Sequence, residues 1–258
     1  MTQLPISTHS YRPVSQQRLH EGVVQQIVTQ IMRGALVPGA FLPSEMVLAQ
    51  QFGVSRTVIR EATRVLAGKG LVVVKHGSGM QVQPSEQWNY LDPLVLFEHL
   101  RINQDQTVLN ELLEMRCVVE VEVAALAAQR RTQEELQGLH SLVKQMRAAL
   151  ADPKTFTRLD IAFHEAILIM ARNRLLAQTL RPASQALYVG RLISSQRTGG
   201  PEASERGHEK ILAAIERGEV EQARTAMRHH IQQFEEDIHT ILAQNVSFNV
   251  VDLTHEIG

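Results

Sequence analysis

Residues 42–82, LPSEMVLAQQFGVSRTVIREATRVLAGKGLVVVKHGSGMQV, decide the fold. Ser44, after Pro43, is placed to cap a short helix over 45–52, with Glu45 at the positive end of its dipole and Gly53 supplying a left-handed turn. Ser55 is placed to cap a second helix, from Arg56 to about Gly68, that turns Val58, Ala62, Val65 and Leu66 inward. The period then changes. LVVVK and MQVQ are β-rich runs joined by HGSG, a glycine-containing hairpin connection. Upstream, Leu19, Val23, Val24, Ile27, Val28 and Ile31 repeat with helical period until Gly34 and Pro38-Gly39 end the run. A helix, a tight helix pair and a hairpin make a winged helix-turn-helix pattern.

The second helix of the pair is the one expected to enter a groove. Arg56, Arg60 and Arg64 fall on one face at intervals of four, with Thr57 beside them at the helix start. Paired guanidinium donors suit phosphate oxygens and guanine edges, and a helix N-terminus attracts phosphate. An isolated RxxxRxxxR helix is just as well a solvated basic face; the preceding helix and the following wing favour DNA. His76 and Gly77, at the wing tip, are further candidates for a groove or phosphate contact, since glycine lets backbone come close.

Charge agrees with that reading once it is divided. The net charge of the 258 residues is −1, but residues 1–83 hold 8 Lys+Arg against 3 Asp+Glu and residues 84–258 hold 18 against 24. A basic front joined to an acidic back is what a DNA-contacting module with a partner domain shows. Aromatics make up only 4%, too few for a platform that stacks single-stranded bases. No apolar run reaches the ~20 residues of a membrane span and no signal-peptide layout opens the chain, so the expected location is cytoplasmic, with no membrane partner. The single cysteine, Cys117, excludes an internal disulfide and reads as a buried reduced thiol.

The rest of the chain reads as helical. The expected organisation is a loose arm over 1–14, the winged module over 15–83, a turn-rich linker over 84–104, a helical domain over 105–243 and a tail over 244–258. About six helices are expected in the back half, near 105–129, 132–150, 154–171, 173–195, 203–217 and 219–243. In RLDIAFHEAI, residues 158–167, Asp160 and His164 stand one turn apart beside the apolar positions Leu159, Phe163, Ile167 and Met170. His208 lies 10 residues before Gly218 and His230 lies 12 after it, so in an antiparallel helix pair the two fall at nearly the same height. Both face the apolar side, while His229 points elsewhere. A carboxylate and three imidazoles inside a bundle carry a heavy desolvation cost unless a divalent cation unites them. Separate, individually satisfied core histidines are the alternative. Arg116, a guanidinium on an otherwise apolar helix, is a candidate for capturing a carboxylate, against an ordinary surface or helix-pair arginine.

Two resemblances sharpen these readings. Residues 42–82 resemble the GntR-type repressor head, whose pattern is roughly LPSE-x-x-LA-x-x-x-GVSR-x-x-VREA-x-x-x-L-x-x-x-GL with a glycine wing. The resemblance implies that Arg56, Thr57, Arg60, His76 and Gly77 contact an operator. The arginine frequent after PSE in that family is Met46 here, which puts one contact in doubt. The helical half is similar to the FCD effector domain behind FadR-type heads, in the subgroup with D-x-x-x-H and two later histidines, matched by Asp160, His164, His208 and His230. That likeness implies a helical bundle holding a metal and a small carboxylate, with Arg116 at the arginine of ELLEMRCVVEVEVAALAA. The linker QWNYLDPLVL is similar to that of sugar-acid regulators of the galactonate-responsive branch.

The fold expected is mainly α: an N-terminal winged helix-turn-helix with a β-hairpin wing and a C-terminal all-α bundle. The function expected is a homodimeric transcription regulator, a repressor of double-stranded operator DNA released by a small organic acid, a sugar acid or hydroxy acid, at a metal site. Zinc is the first choice of metal, with nickel or manganese as alternatives. A metal-responsive repressor and a metal-dependent hydrolase are the rival readings; the chain lacks a placed base such as HExxH supplies, so no enzyme is expected.

Overall fold

The computed structural model describes residues 17–75, 79–102 and 106–243. The expected arm, the wing-tip residues His76 and Gly77 and the expected tail lie outside the described residues. The chain divides into two units between Asn89 and Tyr90. No helix among the described residues is long and apolar enough to cross a membrane.

The first unit follows the order α1 (Gln17–Met32), α2 (Glu45–Phe52), α3 (Arg56–Gly68), β1 (Val72–Lys75), β2 (Gly79–Val82). The caps form where the sequence places them. Ser44 Oγ accepts from Val47 N at 3.4 Å, and Ser55 Oγ accepts from Val58 N at 3.3 Å. Gly53 takes φ 65°, a left-handed conformation that stops α2 and lets α3 start three residues later, at Arg56. The strands pair antiparallel with Val72 opposite Val82, and Phe41 bridges to Gln81. The buried face of α3 is rotated slightly from expectation: Ile59 is buried and Val65 only half-buried. Thr63 can join that face because its hydroxyl donates to Ile59 O at 2.8 Å.

The stretch after the wing is not a plain linker. Asn89 N donates to Lys69 O at 2.9 Å, laying residues 85–89 over the turn at Gly70. A Cβ on Gly70, whose φ is 72°, would stand 2.1 Å from Gln87 O, so only glycine fits. Residues expected as linker then form a helix, α4 (Pro93–Ile102). Its start is encoded: the Asp92 carboxylate accepts from Leu94 N at 3.0 Å and Val95 N at 3.2 Å, and Pro93 occupies the first turn, where its missing N–H costs nothing.

The second unit continues with α5 (Thr107–Arg130), α6 (Gln133–Ala148), α7 (Pro153–Met170), α8 (Arg174–Ala186), α9 (Tyr188–Gln196), α10 (Gly200–Arg217) and α11 (Val220–Ala243). The single helix expected over 173–195 is therefore two. Pro182 lies within α8 without an N–H for the ladder, and Leu187 separates the segments with ψ near 0°. Gly218, at φ 70°, closes α10 and turns the chain into α11. The longest helices, α5 and α11, pack together, with α10 against α11 and α7 against both α5 and α6. Phe163, Ile167 and Met170 from α7, Ile211 and Ile215 from α10, and Met227 and Ile231 from α11 share one core. Each such side chain contributes about 2 kcal/mol by leaving water. Leu96 of α4 joins a second apolar cluster with Leu109, Leu112, Leu113, Leu187 and Ile238. Cys117 is half-buried against the main core, less enclosed than expected.

Candidate functional site

Two sets of residues carry the chemistry, one in each unit. In the first, Arg56, Thr57, Arg60 and Arg64 are all exposed along α3, with Thr57 in its first turn. Arg60 Nε donates to Glu45 Oε2 at 2.9 Å, Arg56 lies 3.8 Å from the same oxygen, and Arg64 Nη1 donates to Glu61 Oε1 at 2.7 Å. Exposed ion pairs of this kind contribute at most about 1 kcal/mol and yield easily to a phosphate. Glu45 thus holds Arg60 and lies near Arg56, while Arg64 is held by Glu61. Met46 is exposed at the position where the family pattern carries arginine.

In the second unit, one buried cluster gathers side chains from five helices. Asp160, His164, His208 and His230 are all buried, and one donor atom from each lies within 4.8 Å of every other. His208 Nε2 is 3.0 Å from Asp160 Oδ1, and His164 Nε2 is 3.9 Å from the same oxygen. His164 Nε2 and His230 Nε2 are 3.2 Å apart. His229 is exposed, as its position on α11 predicts.

Local structure places each donor. Asp160 and His164 are one turn apart on α7, held by Phe163 in the core between them. His208 on α10 meets His230 on α11 with ring centroids 4.3 Å apart. That approach depends on Gly207, because a Cβ there would stand 2.6 Å from His230 Nδ1. Burial, then the charges of His164 and Arg191, hold the His208 imidazole well below its ordinary range; burial, then His208 and His164, does the same for His230. Both rings are therefore neutral, the form a metal requires.

Around the donors lie residues that the spacing argument missed. His164 Nδ1 is 2.8 Å from Glu120 Oε2, and Glu120 Oε1 accepts from Arg116 Nε at 2.6 Å. A carboxylate behind the far ring nitrogen is placed to orient the imidazole with Nε2 toward the other donors. Burial pushes Glu120 up, but Arg116 and His164 outweigh it, so the carboxyl is held well below its ordinary range. Arg191 of α9 donates through Nη1 to Asp160 Oδ2, the oxygen turned away from the histidines. Burial and the like charge of Arg116, partly opposed by Glu120, push Arg191 down to about 9. Phe234 lies under both guanidiniums, 5.2 Å from Arg116 Cζ and 5.9 Å from Arg191 Cζ. Arg116 is thus no surface arginine: it is buried, engaged with Glu120, and its Nη1 has no hydrogen-bond partner among the described residues. The one available signal for Glu120 was its position four residues after Arg116 on an apolar helix; for Arg191 it was a lone guanidinium within YVGRLI.

A divalent cation fits this donor set. Three imidazole nitrogens and one carboxylate oxygen are a ligand set for zinc, nickel or manganese, and among the described residues His208 has neither ring nitrogen in an aligned hydrogen bond. A buried polar ring so placed is costly unless something else engages it.

Comparisons with known proteins agree with both halves. Residues 19–82 match the model for bacterial regulatory proteins of the gntR family, and residues 111–233 match the FCD domain. The galactonate operon transcriptional repressor of Escherichia coli (strain K12) is 38% identical over 60% of this chain and 68% of its own length. The HTH-type transcriptional regulator LutR of Bacillus subtilis (strain 168) is 31% identical over 84% of this chain and 99% of its own length. The solved structure of Lar from Listeria monocytogenes shares the fold with a TM-score of 0.58, at 17% identity, over 90% of this chain and 100% of that one. The chain belongs to the GntR family of bacterial regulatory proteins: it is a transcription regulator rather than an enzyme, with an FCD domain behind its helix-turn-helix head.

Proposed function

We propose that the protein is a homodimeric repressor whose operator grip is released when a small organic acid, a sugar acid or hydroxy acid, enters the bundle beside a divalent metal held by Asp160, His164, His208 and His230. The observation that carries the reading is the convergence of four buried donors in a domain joined to a DNA-binding head. A metal there supplies a Lewis-acidic centre for carboxylate and hydroxyl oxygens, and zinc is the first choice for this ligand set. The likeness to the galactonate operon repressor and the linker QWNYLDPLVL support a sugar acid.

The chain's own residues divide the work. Glu120 orients His164, Arg116 holds Glu120 and offers its unpartnered Nη1 to a carboxylate, and Phe234 floors the space beneath the guanidinium. In the head, Arg56, Thr57, Arg60 and Arg64, with His76 and Gly77 of the wing, contact a palindromic operator in the cytoplasm. An acid seated at the cluster touches α5, α7, α10 and α11 together and so favours one packing of the bundle over another, which changes the spacing of the two heads.

Operator binding measured by fluorescence anisotropy, with chelator-stripped and zinc-loaded protein across a panel of sugar acids and hydroxy acids, tests the proposal. Release by one acid in the zinc-loaded protein only is the expected result. Operator affinity that ignores the whole panel counts against sensing by release, and affinity that follows zinc alone points to a metal-responsive repressor.

A further inference from the structure

The three arginines on the exposed face of α3 are not held alike. Arg64 engages a terminal nitrogen, Nη1, with Glu61 Oε1 at 2.7 Å, so a DNA contact through that nitrogen must first displace its own ion pair. Arg56 Nη2 lies 3.8 Å from Glu45 Oε2, outside hydrogen-bond distance. Arg60 instead donates through Nε, the nitrogen nearest its stem, to Glu45 Oε2 at 2.9 Å, and among the described residues its Nη1 and Nη2 make no hydrogen bond. A guanidinium is planar, so holding Nε from one side orients the fork of Nη1 and Nη2. That fork matches the O6 and N7 acceptors of guanine. The tether also removes side-chain freedom that an untethered arginine would lose only on binding.

Glu45 is an unfavourable residue on such a face. Helix α2, EMVLAQQF, carries no basic residue, and the exposed neighbour Met46 is uncharged, so among the described residues the cations beside the Glu45 carboxylate are those of α3. A carboxylate turned toward DNA repels phosphates whatever the sequence. Complementing the helix dipole accounts for an acid in the first turn of α2, but a role of that kind has no bearing on base preference. We infer, resting on α3 as the groove helix proposed above, that Glu45 is a positioning residue for sequence reading. It holds Arg60 as the reader of one guanine in each half-site and, by its own charge, weakens attachment to DNA that lacks that guanine.

Full-length wild type and variants are each used to select from a pool of random double-stranded DNA, and affinities for the selected operator, for base-substituted operators and for an unrelated duplex are read by fluorescence anisotropy. Arg60→Ala locates the guanine, as the operator position whose preference it abolishes. Wild type is expected to lose on the order of tenfold or more in affinity when that guanine becomes adenine. Glu45→Met, similar in length but with neither acceptor nor charge, is expected to reduce that loss to about threefold or less and to bind the unrelated duplex on the order of threefold more tightly than wild type. Glu45→Gln, uncharged but still able to accept from Arg60, is expected to share the gain on unrelated DNA while keeping part of the guanine preference, a separation that a helix-dipole role does not give. A Glu45→Met protein that discriminates at that position as wild type does overturns the inference. So does an Arg60→Ala protein that weakens binding to every sequence alike and relaxes no position. An Arg60→Ala protein that binds all the duplexes as wild type does removes the groove assignment itself, and the role of Glu45 with it.

Discussion

Replacing Gly207 by alanine separates helix stability from metal binding. Gly207 is interior to α10, where glycine costs about 1 kcal/mol relative to alanine, so in open space the substitution would stabilise the protein by that amount. The space is not open: the new methyl would lie 2.6 Å from His230 Nδ1 and 3.3 Å from Cγ of the same ring. Either α10 withdraws from α11 or the imidazole turns away. Overpacking of this kind costs ~1–3 kcal/mol, so the net effect on the chelator-treated protein is between nothing and about 2 kcal/mol of destabilisation. The loss of a correctly oriented ligand is larger in its own measurement. Disturbing the groups that orient a metal ligand typically weakens binding ~10–100-fold, or about 1.4–2.7 kcal/mol. Thermal melts of wild type and Gly207→Ala, each in chelator and in excess zinc, read both quantities, because the zinc-dependent rise in Tm reports affinity. The zinc-dependent rise is expected to shrink by ~3–10 °C in the variant. A variant that gains the full helical increment and keeps the wild-type zinc response would falsify the placement of His230 against α10.

Three further outcomes follow from the geometry. Arg60→Ala removes an exposed guanidinium from the middle of α3 and is expected to weaken operator binding by ~1–3 kcal/mol if it reads a base, or to flatten the salt dependence by about one phosphate contact, while zinc affinity stays at wild type; electrophoretic shifts at several salt concentrations distinguish the two, and unchanged binding throughout contradicts the groove assignment. Gly70→Ala combines a positive φ with a Cβ 2.1 Å from Gln87 O and is expected to cost the DNA-binding unit ~2–4 kcal/mol, followed in urea by the fluorescence of Trp88, the chain's single tryptophan; an unshifted midpoint rules out the close approach. In chelator, the metal-free protein is expected to lose stability as pH falls below about 6.5, because the unfolded chain then takes up protons that the buried, neutral His208 and His230 refuse. His208→Asn flattens that dependence, and an equal slope in both proteins argues against burial of a neutral ring.

Much of this architecture was readable from local signals. Ser44, Ser55 and Gly53 punctuate the helix pair by capping chemistry that operates within three or four residues, so the sequence states it directly. The donor set was readable for a different reason: helical period puts Asp160 beside His164, and distance from the Gly218 turn puts His208 level with His230. Joining those two pairs required the bundle's tertiary packing, which spacing alone does not supply. Glu120 and Arg191 escaped because they act from α5 and α9 and reach the cluster through helix packing. Arg191 in particular belongs to a segment expected to continue a single helix, which divides at Leu187. The helix α4 was missed although its signal is local: Asp92-Pro93 is a cap followed by a first-turn proline, and it reads as a turn unless the apolar run after it is weighed.

The most direct measurement is anomalous diffraction from crystals of the full-length protein grown with zinc and recorded on both sides of the zinc edge. A single peak per chain, bounded by Asp160 Oδ1 and the Nε2 atoms of His164 and His230, with His208 completing the set, is the result the account predicts. A peak elsewhere, or none with zinc in excess, contradicts it.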